Sequence, residues 1–179
     1  MPVSNIKPLV GVSQCLLGAA VRYDGHSKAN NIVIDKLSGL FQLIPVCPEV
    51  EAGLSVPRPP VALTGSIDNP KLTGRDDPAL DITGIMQQYC KTKPDELVHL
   101  SGFIFKSRSP SCGLNSTPVF IDGQCVAENS RGVFARSLCN PDNALLSRSI
   151  GRYCRQRRGF RLGNNFKLAL CKLRAASQF

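Results

Sequence analysis

Short apolar runs alternate with helical periodicities over the first two thirds of the chain. The runs at 8–13, 43–46 and 102–106 are short and rich in branched or aromatic residues, which is typical of buried strands. Between them, apolar residues recur at helical spacing at 33–41 and 82–90. This alternation of strand, helix and strand predicts an α/β sandwich with a mainly parallel sheet.

Local signals predict where several of these elements begin and end. Asn31 is expected to cap the first helix, and Pro94 is expected to end the second. The segment 51–75 is rich in Pro and Gly and is predicted to be an ordered loop. Pro45 argues against a central position for the second strand. A hairpin around Asp122 and Gly123 is also expected, followed by a short helix over about 131–139.

Charge is distributed unevenly along the 179 residues. Residues 1–139 carry 13 Lys and Arg against 12 Asp and Glu, whereas 140–179 carry 9 against one. We therefore expect one folded domain over 1–139 and a basic C-terminal tail over 140–179, with helical spacing from Leu146 to Cys154. Such a tail is suited to RNA phosphates, but a solvated tail without a partner fits equally well.

Cysteine usage limits the kinds of site that the chain can build. No apolar run approaches the ~20 residues of a membrane span, and the first residues lack the pattern of a secretory signal, so the expected location is the cytoplasm. There the eight cysteines are expected as free thiols. No two of them form a C-x-x-C pair, so a metal site would need cysteines from distant parts of the chain.

Three cysteines follow the ends of predicted strands. Cys15 and Cys47 come directly after the first and second strands, and Cys112 lies six residues beyond the third. If these strands are parallel neighbours, all three thiols meet at the carboxyl edge of the sheet, where ligands bind. Spacing alone fits buried small hydrophobes equally well. The other cysteines are expected to be structural or incidental: Cys90, Cys125, Cys139, Cys154 and Cys171.

Five ordered motifs surround these cysteines. They are SQCLLG at 13–18, VRYDG at 21–25, PVCPE at 45–49, PRPP at 57–60 and KSRSPSCG at 106–113. Together, from Leu9 to Leu138, they resemble the thiouracil desulfidases of the TudS type and the related tRNA 4-thiouridine desulfidases of the RudS type. Taken jointly the motifs are specific, although each alone is weak.

The resemblance implies a fold, a cofactor and a set of catalytic residues. The fold is a Rossmann-like three-layer sandwich, and the cofactor is a 4Fe–4S cluster on Cys15, Cys47 and Cys112. Fe–S clusters usually take four thiolates, so three leave one iron open to a thiocarbonyl sulfur. The acidic catalytic residue of the family falls on Glu49, and its serine falls on Ser109, with Ser111 as the alternative.

The expected reaction replaces C=S by C=O in a thiolated uracil compound and releases sulfide, with Glu49 as the acid–base group for water. Glu49 equally fits a helix-start carboxylate. Several residues in the motif loops are candidates to hold a phosphate or the uracil ring, although each also fits an ordinary loop position: Arg22, Tyr23, Arg58, Lys106 and Arg108. The substrate is then free thiouracil, 4-thiouridine monophosphate or 4-thiouridine within tRNA.

Two readings from other classes compete with this one. A non-catalytic Fe–S or zinc protein, acting as a sensor or RNA-binding module, fits the cysteine content and the basic tail but gives no role to Glu49 and the nearby serines. A nucleotide-binding doubly wound protein is disfavoured because the chain has neither a G-x-G-x-x-G motif nor a P-loop.

Overall fold

The computed structural model describes residues 7–139, together with the backbone of two strands nearer the C-terminus. The strands in chain order are β1 (Leu9–Ser13), β2 (Gln42–Val46), β3 (Val61–Thr64), β4 (Lys71–Gly74), β5 (Gly102–Lys106), β6 (Thr117–Ile121), β7 (Gln124–Ser130), β8 (Phe160–Arg161) and β9 (Phe166–Leu170). The α-helices are α1 (Ser38–Leu40), α2 (Pro48–Glu51), α3 (Thr83–Glu96) and α4 (Val133–Leu138). A 3-10 turn covers Gln14–Leu17, and a π-helical segment covers Ile32–Leu37.

The main sheet has the strand order β2-β1-β5-β9-β8. β1 pairs in parallel with both β2 and β5, so that Val10 lies beside Leu43 on one side and Gly102 on the other. Within the described residues, β2 lies at the edge of this sheet, which explains how it tolerates Pro45. The predicted α/β fold with parallel neighbouring strands is confirmed.

Each face of the main sheet carries its own hydrophobic cluster. On one face Val10, Val12 and Ile104 pack with Leu16, Val33 and Leu37 from the 3-10 turn and the π-helical segment. On the other, Phe103 and Phe105 pack with Phe134 of α4. Helical segments therefore cover both faces, as in a three-layer sandwich.

Gly11 allows the second face to close tightly. A Cβ atom at this position would lie 2.4 Å from the ring of Phe103. Any side chain at position 11 would therefore push Phe103 out of the hydrophobic cluster. The lack of a side chain at position 11 thus lets Phe103 of β5 lie directly against β1.

A second sheet, of order β4-β3-β6-β7, corrects the prediction of a loop over 51–75. β3 and β4 lie within that segment and pair antiparallel, with Leu63 beside Leu72. Both leucines are fully buried against Met86 of α3, and this packing outweighs the local Pro and Gly content. The predicted hairpin is confirmed, because Asp122 and Gly123 both have positive φ between β6 and β7.

Helix α3 does not end at Pro94, as was predicted, but continues to Glu96. A proline in a helix leaves the carbonyl four positions earlier without its usual N–H partner. Here that carbonyl belongs to Cys90, and it accepts a 2.6 Å hydrogen bond from the Ser137 hydroxyl of α4. A tertiary contact thus replaces the missing helical one.

The cap of the π-helical segment also differs from the prediction. Asn31 makes no side-chain cap hydrogen bond. Instead Oδ1 of Asn30 accepts hydrogen bonds from the N–H groups of Ile32 and Val33, at 3.1 and 3.2 Å. The preceding asparagine therefore supplies the capping side chain.

Part of the C-terminal segment joins the main sheet. β9 pairs antiparallel with β5 from Gly102 opposite Leu170 to Lys106 opposite Phe166, and β8 pairs with β9. The predicted helical spacing from Leu146 to Cys154 lies outside the described residues, as does most of the basic tail. Over the part of the chain that is described, no helix combines the length and apolar character that crossing a bilayer requires.

Candidate active site

A cavity of about 300 Å³ lies at the carboxyl edge of the parallel strands. Cys15, Cys47 and Cys112 all line it. They arrive on three separate elements, which are the turn after β1, the start of α2 and the loop after β5. The cysteines that sequence spacing placed at three strand ends are thus brought to one cavity, and all three are free thiols.

Cys15 is fixed by the tight turn that follows β1. It lies in the 3-10 turn Gln14–Leu17, which ends at Gly18 with φ of 95°. The carbonyl of Cys15 accepts hydrogen bonds from the N–H groups of Gly18 at 3.3 Å and Lys28 at 2.9 Å. Only glycine adopts such a φ without strain, so Gly18 lets the chain turn away while the thiol stays at the cavity.

Cys47 is fixed by α2 and, through one carboxylate, by α3. Its N–H donates a 3.1 Å hydrogen bond to Oε1 of Glu51. The other carboxylate oxygen of Glu51 accepts from the Tyr89 hydroxyl at 2.9 Å and from Nζ of Lys93 at 2.8 Å. Glu51 thereby connects the backbone of Cys47 to two side chains of α3.

Cys112 lies in a loop that is fixed by hydrogen bonds within the loop and by hydrogen bonds from the start of α4. Oγ of Ser109 accepts hydrogen bonds from the N–H groups of Ser111 and Cys112, at 3.3 and 3.0 Å. Behind the loop, the Phe134 N–H donates to the Ser111 carbonyl at 3.0 Å. A Cβ atom at Gly132 would lie 2.5 Å from that same carbonyl, so the start of α4 presses directly on the loop.

Burial governs the electrostatics of the three thiols. It raises the pKa of Cys15 to about 11, against the opposing effect of the Lys106 ammonium. Burial likewise raises the pKa of Cys47 and, more strongly, that of Cys112, an effect on Cys112 that the nearby Ser13 hydroxyl partly offsets. The raised pKa values favour the protonated thiols at neutral pH, and a bound metal would favour their thiolate forms.

Three cysteine thiols at one cavity are the kind of donors that iron–sulfur clusters use. Across residues 7–139, no group of three His, Cys, Asp or Glu side chains is arranged to hold one metal ion. Three soft sulfur donors in a part-enclosed cavity, with Lys106 and Ser13 beside them, suit such an anionic cluster.

Glu49 lines the same cavity with both carboxylate oxygens engaged. Oε1 accepts a 2.7 Å hydrogen bond from the Ser111 hydroxyl, and Oε2 accepts one of 2.9 Å from Nε of Arg58. Arg58 also donates to the carbonyls of Ser55 and Val21. Since the side chains of Glu49 and Arg58 are only 13% and 7% exposed, this is a nearly buried, fully hydrogen-bonded ion pair.

The wall of the cavity is strongly cationic. Six described residues supply the positive charges: Arg22, Lys28, Arg58, Arg75, Lys106 and Arg108. Glu49 is the one carboxylate among the described lining residues, and Arg58 offsets its charge. Burial lowers the pKa of Lys106, whose Nζ donates to the Ser107 carbonyl at 2.6 Å. The positive charge that remains in the cavity wall favours binding of an anion.

Tyr23 and Arg22 form one rim of the cavity. Tyr23 is 36% exposed, and the guanidinium of Arg22 lies 5.6 Å from its ring centroid. Arg22 is also paired with Asp24 at 2.8 Å. An exposed ring at a cavity rim, backed by a cation, is suited to stacking on a planar ligand.

The structure brings together nearly all of the site residues that were predicted from sequence. Cys15, Cys47, Cys112 and Glu49 line one cavity, and so do Ser109 and the five candidate substrate contacts. Ser111 does not line it; this serine is fully buried behind Glu49. The catalytic, substrate-binding and ligand roles of all these residues remain predictions.

Sequence reasoning missed several residues around the site. Ser13 and Lys28 lie within or next to the recognised motifs, but no sequence pattern marked them as residues that line the cavity. Arg75 reaches the cavity from the end of β4, in the segment that was predicted to be a loop. Glu51 also lacked a recognisable signal, because a capping box places its acidic residue three positions after the cap and Glu51 lies four after Cys47.

Three known proteins or families are similar to this chain. The family model of the 2-thiouracil desulfurases matches residues 10–148. The solved structure of a 4Fe-4S-dependent thiouracil desulfidase, TudS, is similar to this chain with a TM-score of 0.55 and 28% identity, over 74% of this chain and 84% of that one. The uncharacterized protein YbbK of Bacillus subtilis is 32% identical over 114 residues, which is 59% of this chain and 73% of that protein. On these matches, the chain belongs to the 2-thiouracil desulfurase family.

Proposed function

We propose that this protein is a desulfidase that converts a thiouracil or 4-thiouridine compound to its uracil form and releases sulfide, using a 4Fe–4S cluster held by Cys15, Cys47 and Cys112. The observation that carries the proposal is the presence of these three thiols and Glu49 around one cavity of about 300 Å³. Family membership and the likeness to a 4Fe-4S-dependent desulfidase support it.

The residues around the thiols fit this cofactor. When bound, the cluster would supply a thiophilic, Lewis-acidic iron, because three protein thiolates leave one of its irons without a cysteine ligand. Lys106 lies close enough to Cys15 and Cys112 to lower the energy of their thiolate forms. The Ser13 hydroxyl accepts the Lys106 N–H at 3.0 Å and lies near Cys112, where it favours the thiolate form of that ligand.

Glu49 is the general base in this proposal. Ser111 and Arg58 hold its two oxygens in one orientation at the cavity wall, where the carboxylate accepts a proton from the attacking water. Overall, one water exchanges C=S for C=O, and the sulfur leaves as hydrogen sulfide with the protons of that water. The oxidation state of the ring carbon does not change, so no electrons are required.

The two serines take different parts. Ser109 lines the cavity, and its oxygen already accepts two backbone N–H groups, so its hydroxyl hydrogen is directed to a further acceptor such as the substrate or the water. Ser111 is turned away from the cavity and positions Glu49. Arg58, whose donors are engaged by Glu49 and backbone carbonyls, also acts as a positioning residue.

The cationic wall favours a substrate that carries a negative charge. Lys28 and Arg108 are exposed beside the cavity, and Arg22 and Tyr23 form its rim. A thiolated nucleotide offers a planar ring to Tyr23 and a phosphate to these cations, whereas free thiouracil offers only the ring. Binding of RNA through the basic tail remains a prediction, because that tail lies largely outside the described residues.

A substrate series tests the proposal. The protein is loaded anaerobically with iron and sulfide and given 2-thiouracil, 4-thiouridine and 4-thiouridine monophosphate, while thiocarbonyl absorbance and released sulfide are followed. We expect turnover, with kcat/KM at least tenfold higher for the monophosphate than for the nucleoside. The Lys28→Gln/Arg108→Gln variant should reduce that preference. Absence of turnover on all three compounds would overturn the proposal.

A further inference from the structure

A second groove, of about 580 Å³, lies apart from the catalytic cavity and shares none of its described lining residues. It is bounded by α3 and α4 and by the short segment before β4. Lys91, Arg131 and Arg136 line it, and no Asp or Glu is among the described residues that do so. Gln87 and Asn69 add neutral amides. The proposed desulfuration reaction does not involve this basic groove.

The hydrogen bonds of Arg136 all come from its two Nη atoms. Its Nη2 donates to the Ile67 carbonyl at 3.0 Å and to the Ser130 hydroxyl at 3.3 Å, and its Nη1 donates to the Asp68 carbonyl. Nε is buried and, among the described residues, finds no partner. A guanidinium N–H without an acceptor is costly, and because Nε is shielded from solvent it gains an outside acceptor only if the Arg136 side chain shifts.

The guanidinium of Arg131 lies near that of Arg136. Nε of Arg131 donates a 2.9 Å hydrogen bond to Oδ1 of Asn115, which fixes that side chain at the groove. Burial, followed by the positive charge of Arg131, lowers the pKa of Arg136. The carboxylate of Asp68 offsets part of this effect on Arg136. Asp68 does not line the groove, so the positive charges of Lys91, Arg131 and Arg136 in its wall favour an anion.

We infer that this groove binds a phosphate group, recognised by Lys91 and Arg131, with the guanidinium of Arg136 beside them as a third positive charge. A phosphate offers several strong acceptor oxygens and up to two negative charges, which match a lysine and two arginines better than a single carboxylate would. The same chemistry is present in inorganic phosphate and in the phosphodiester backbone of RNA. This inference does not depend on the proposed desulfuration.

NMR of the arginine Nε–H groups tests it directly. The full chain, 15N-labelled at arginine, is titrated with inorganic phosphate and separately with a short unmodified RNA. The Arg136 resonance is assigned by its loss in Arg136→Lys. We expect that resonance to shift saturably with at least one of the two. A response to phosphate alone identifies a free-phosphate site, and a response to RNA identifies a backbone contact.

Matched variants localise the effect. Lys91→Gln, an exposed change, should weaken the titration severalfold, and Lys91→Gln/Arg131→Gln should weaken it at least tenfold. Lys36→Gln removes a lysine from the π-helical segment, outside both cavities, and should leave the titration unchanged. Lys28→Gln/Arg108→Gln should also leave the Arg136 shift unchanged. No saturable shift with either titrant, or an equal shift in Lys91→Gln, would overturn the inference.

Discussion

The hydroxyl of Ser111 donates a 2.7 Å hydrogen bond to Oε1 of Glu49, which lies 62 positions earlier in the chain. Oε2 of the same carboxylate accepts a hydrogen bond from Nε of Arg58 at 2.9 Å. Ser111 is fully buried, and the Arg58 side chain is nearly so. Glu49 therefore reaches the cavity wall in one orientation, which is a requirement for a group that moves a proton at a fixed place.

Replacing this carboxylate should separate catalysis from cluster binding. In Glu49→Gln the side chain keeps its shape but loses the charge that accepts a proton, so we expect turnover to fall by about 10²- to 10⁴-fold. Iron and sulfide content should not change. Glu128→Gln, the same substitution on the exposed strand β7, is the control. Full activity in Glu49→Gln would rule out this carboxylate as the base.

Removing Arg58 should destabilise the fold. Arg58→Met leaves Glu49 nearly buried without its cation, and we expect the free energy of unfolding to fall by about 3 kcal/mol in urea titrations. The Glu49→Gln/Arg58→Met variant removes both charges and should recover part of this loss. Purely additive effects in this double-mutant cycle would show that the pair contributes no coupling energy.

Glu51 should control how firmly Cys47 is held. Glu51→Ala releases the Cys47 N–H together with the Tyr89 hydroxyl. Loss of the contacts that hold a metal ligand in place typically lowers metal affinity 10- to 100-fold. We therefore expect an added chelator to remove iron from Glu51→Ala faster by about that factor. In the metal-free protein, alkylation of Cys47 should also be faster. Glu96→Ala breaks a contact with Lys93 but none with Cys47, and should resemble the parent protein.

Stability should respond to acid through Asp81. Hydrogen bonds from the side chain and the N–H of Thr83 hold the pKa of Asp81 below its usual value. A lowered folded pKa contributes stability above the unfolded value of about 3.9, and that stability is lost as pH falls through the folded pKa. Because the group is exposed, the effect should stay below about 1 kcal/mol.

The comparison with Asp81→Asn measures this effect. The difference in free energy of unfolding between the parent protein and Asp81→Asn should be constant from about pH 7 to pH 5 and should shrink below about pH 4. Urea titrations at each pH give the values. A difference that stays the same down to pH 2 would show that the carboxylate charge contributes nothing at the start of α3.

Sequence predicted the parts of the fold whose signal is local and strong. The strands β1, β2 and β5 are short apolar runs, and their parallel pairing brings Cys15 and Cys47 to one edge, as the positions of the cysteines after the strands indicate. The hairpin at Asp122 and Gly123 was predictable because few residues adopt the positive φ that its turn requires.

Where tertiary contacts decide the structure, local signals failed. β3 has four residues next to a proline-rich segment, and only burial of Leu63 against Met86 makes it a strand. α3 continues past Pro94 because Ser137 satisfies the freed carbonyl of Cys90. The Ser111–Glu49 contact joins two motifs whose separation in sequence carries no information about their distance in space.

Single-cysteine variants test the central claim most directly. Each protein is loaded anaerobically with iron and sulfide and assayed for bound iron and for loss of the thiocarbonyl absorbance of 4-thiouridine monophosphate. The parent protein and Cys125→Ala, a change at an exposed thiol, should bind about four irons per chain and turn over. Cys15→Ala, Cys47→Ala and Cys112→Ala should each lose the intact cluster and the activity. Full iron content and turnover in any one of these three would contradict the account.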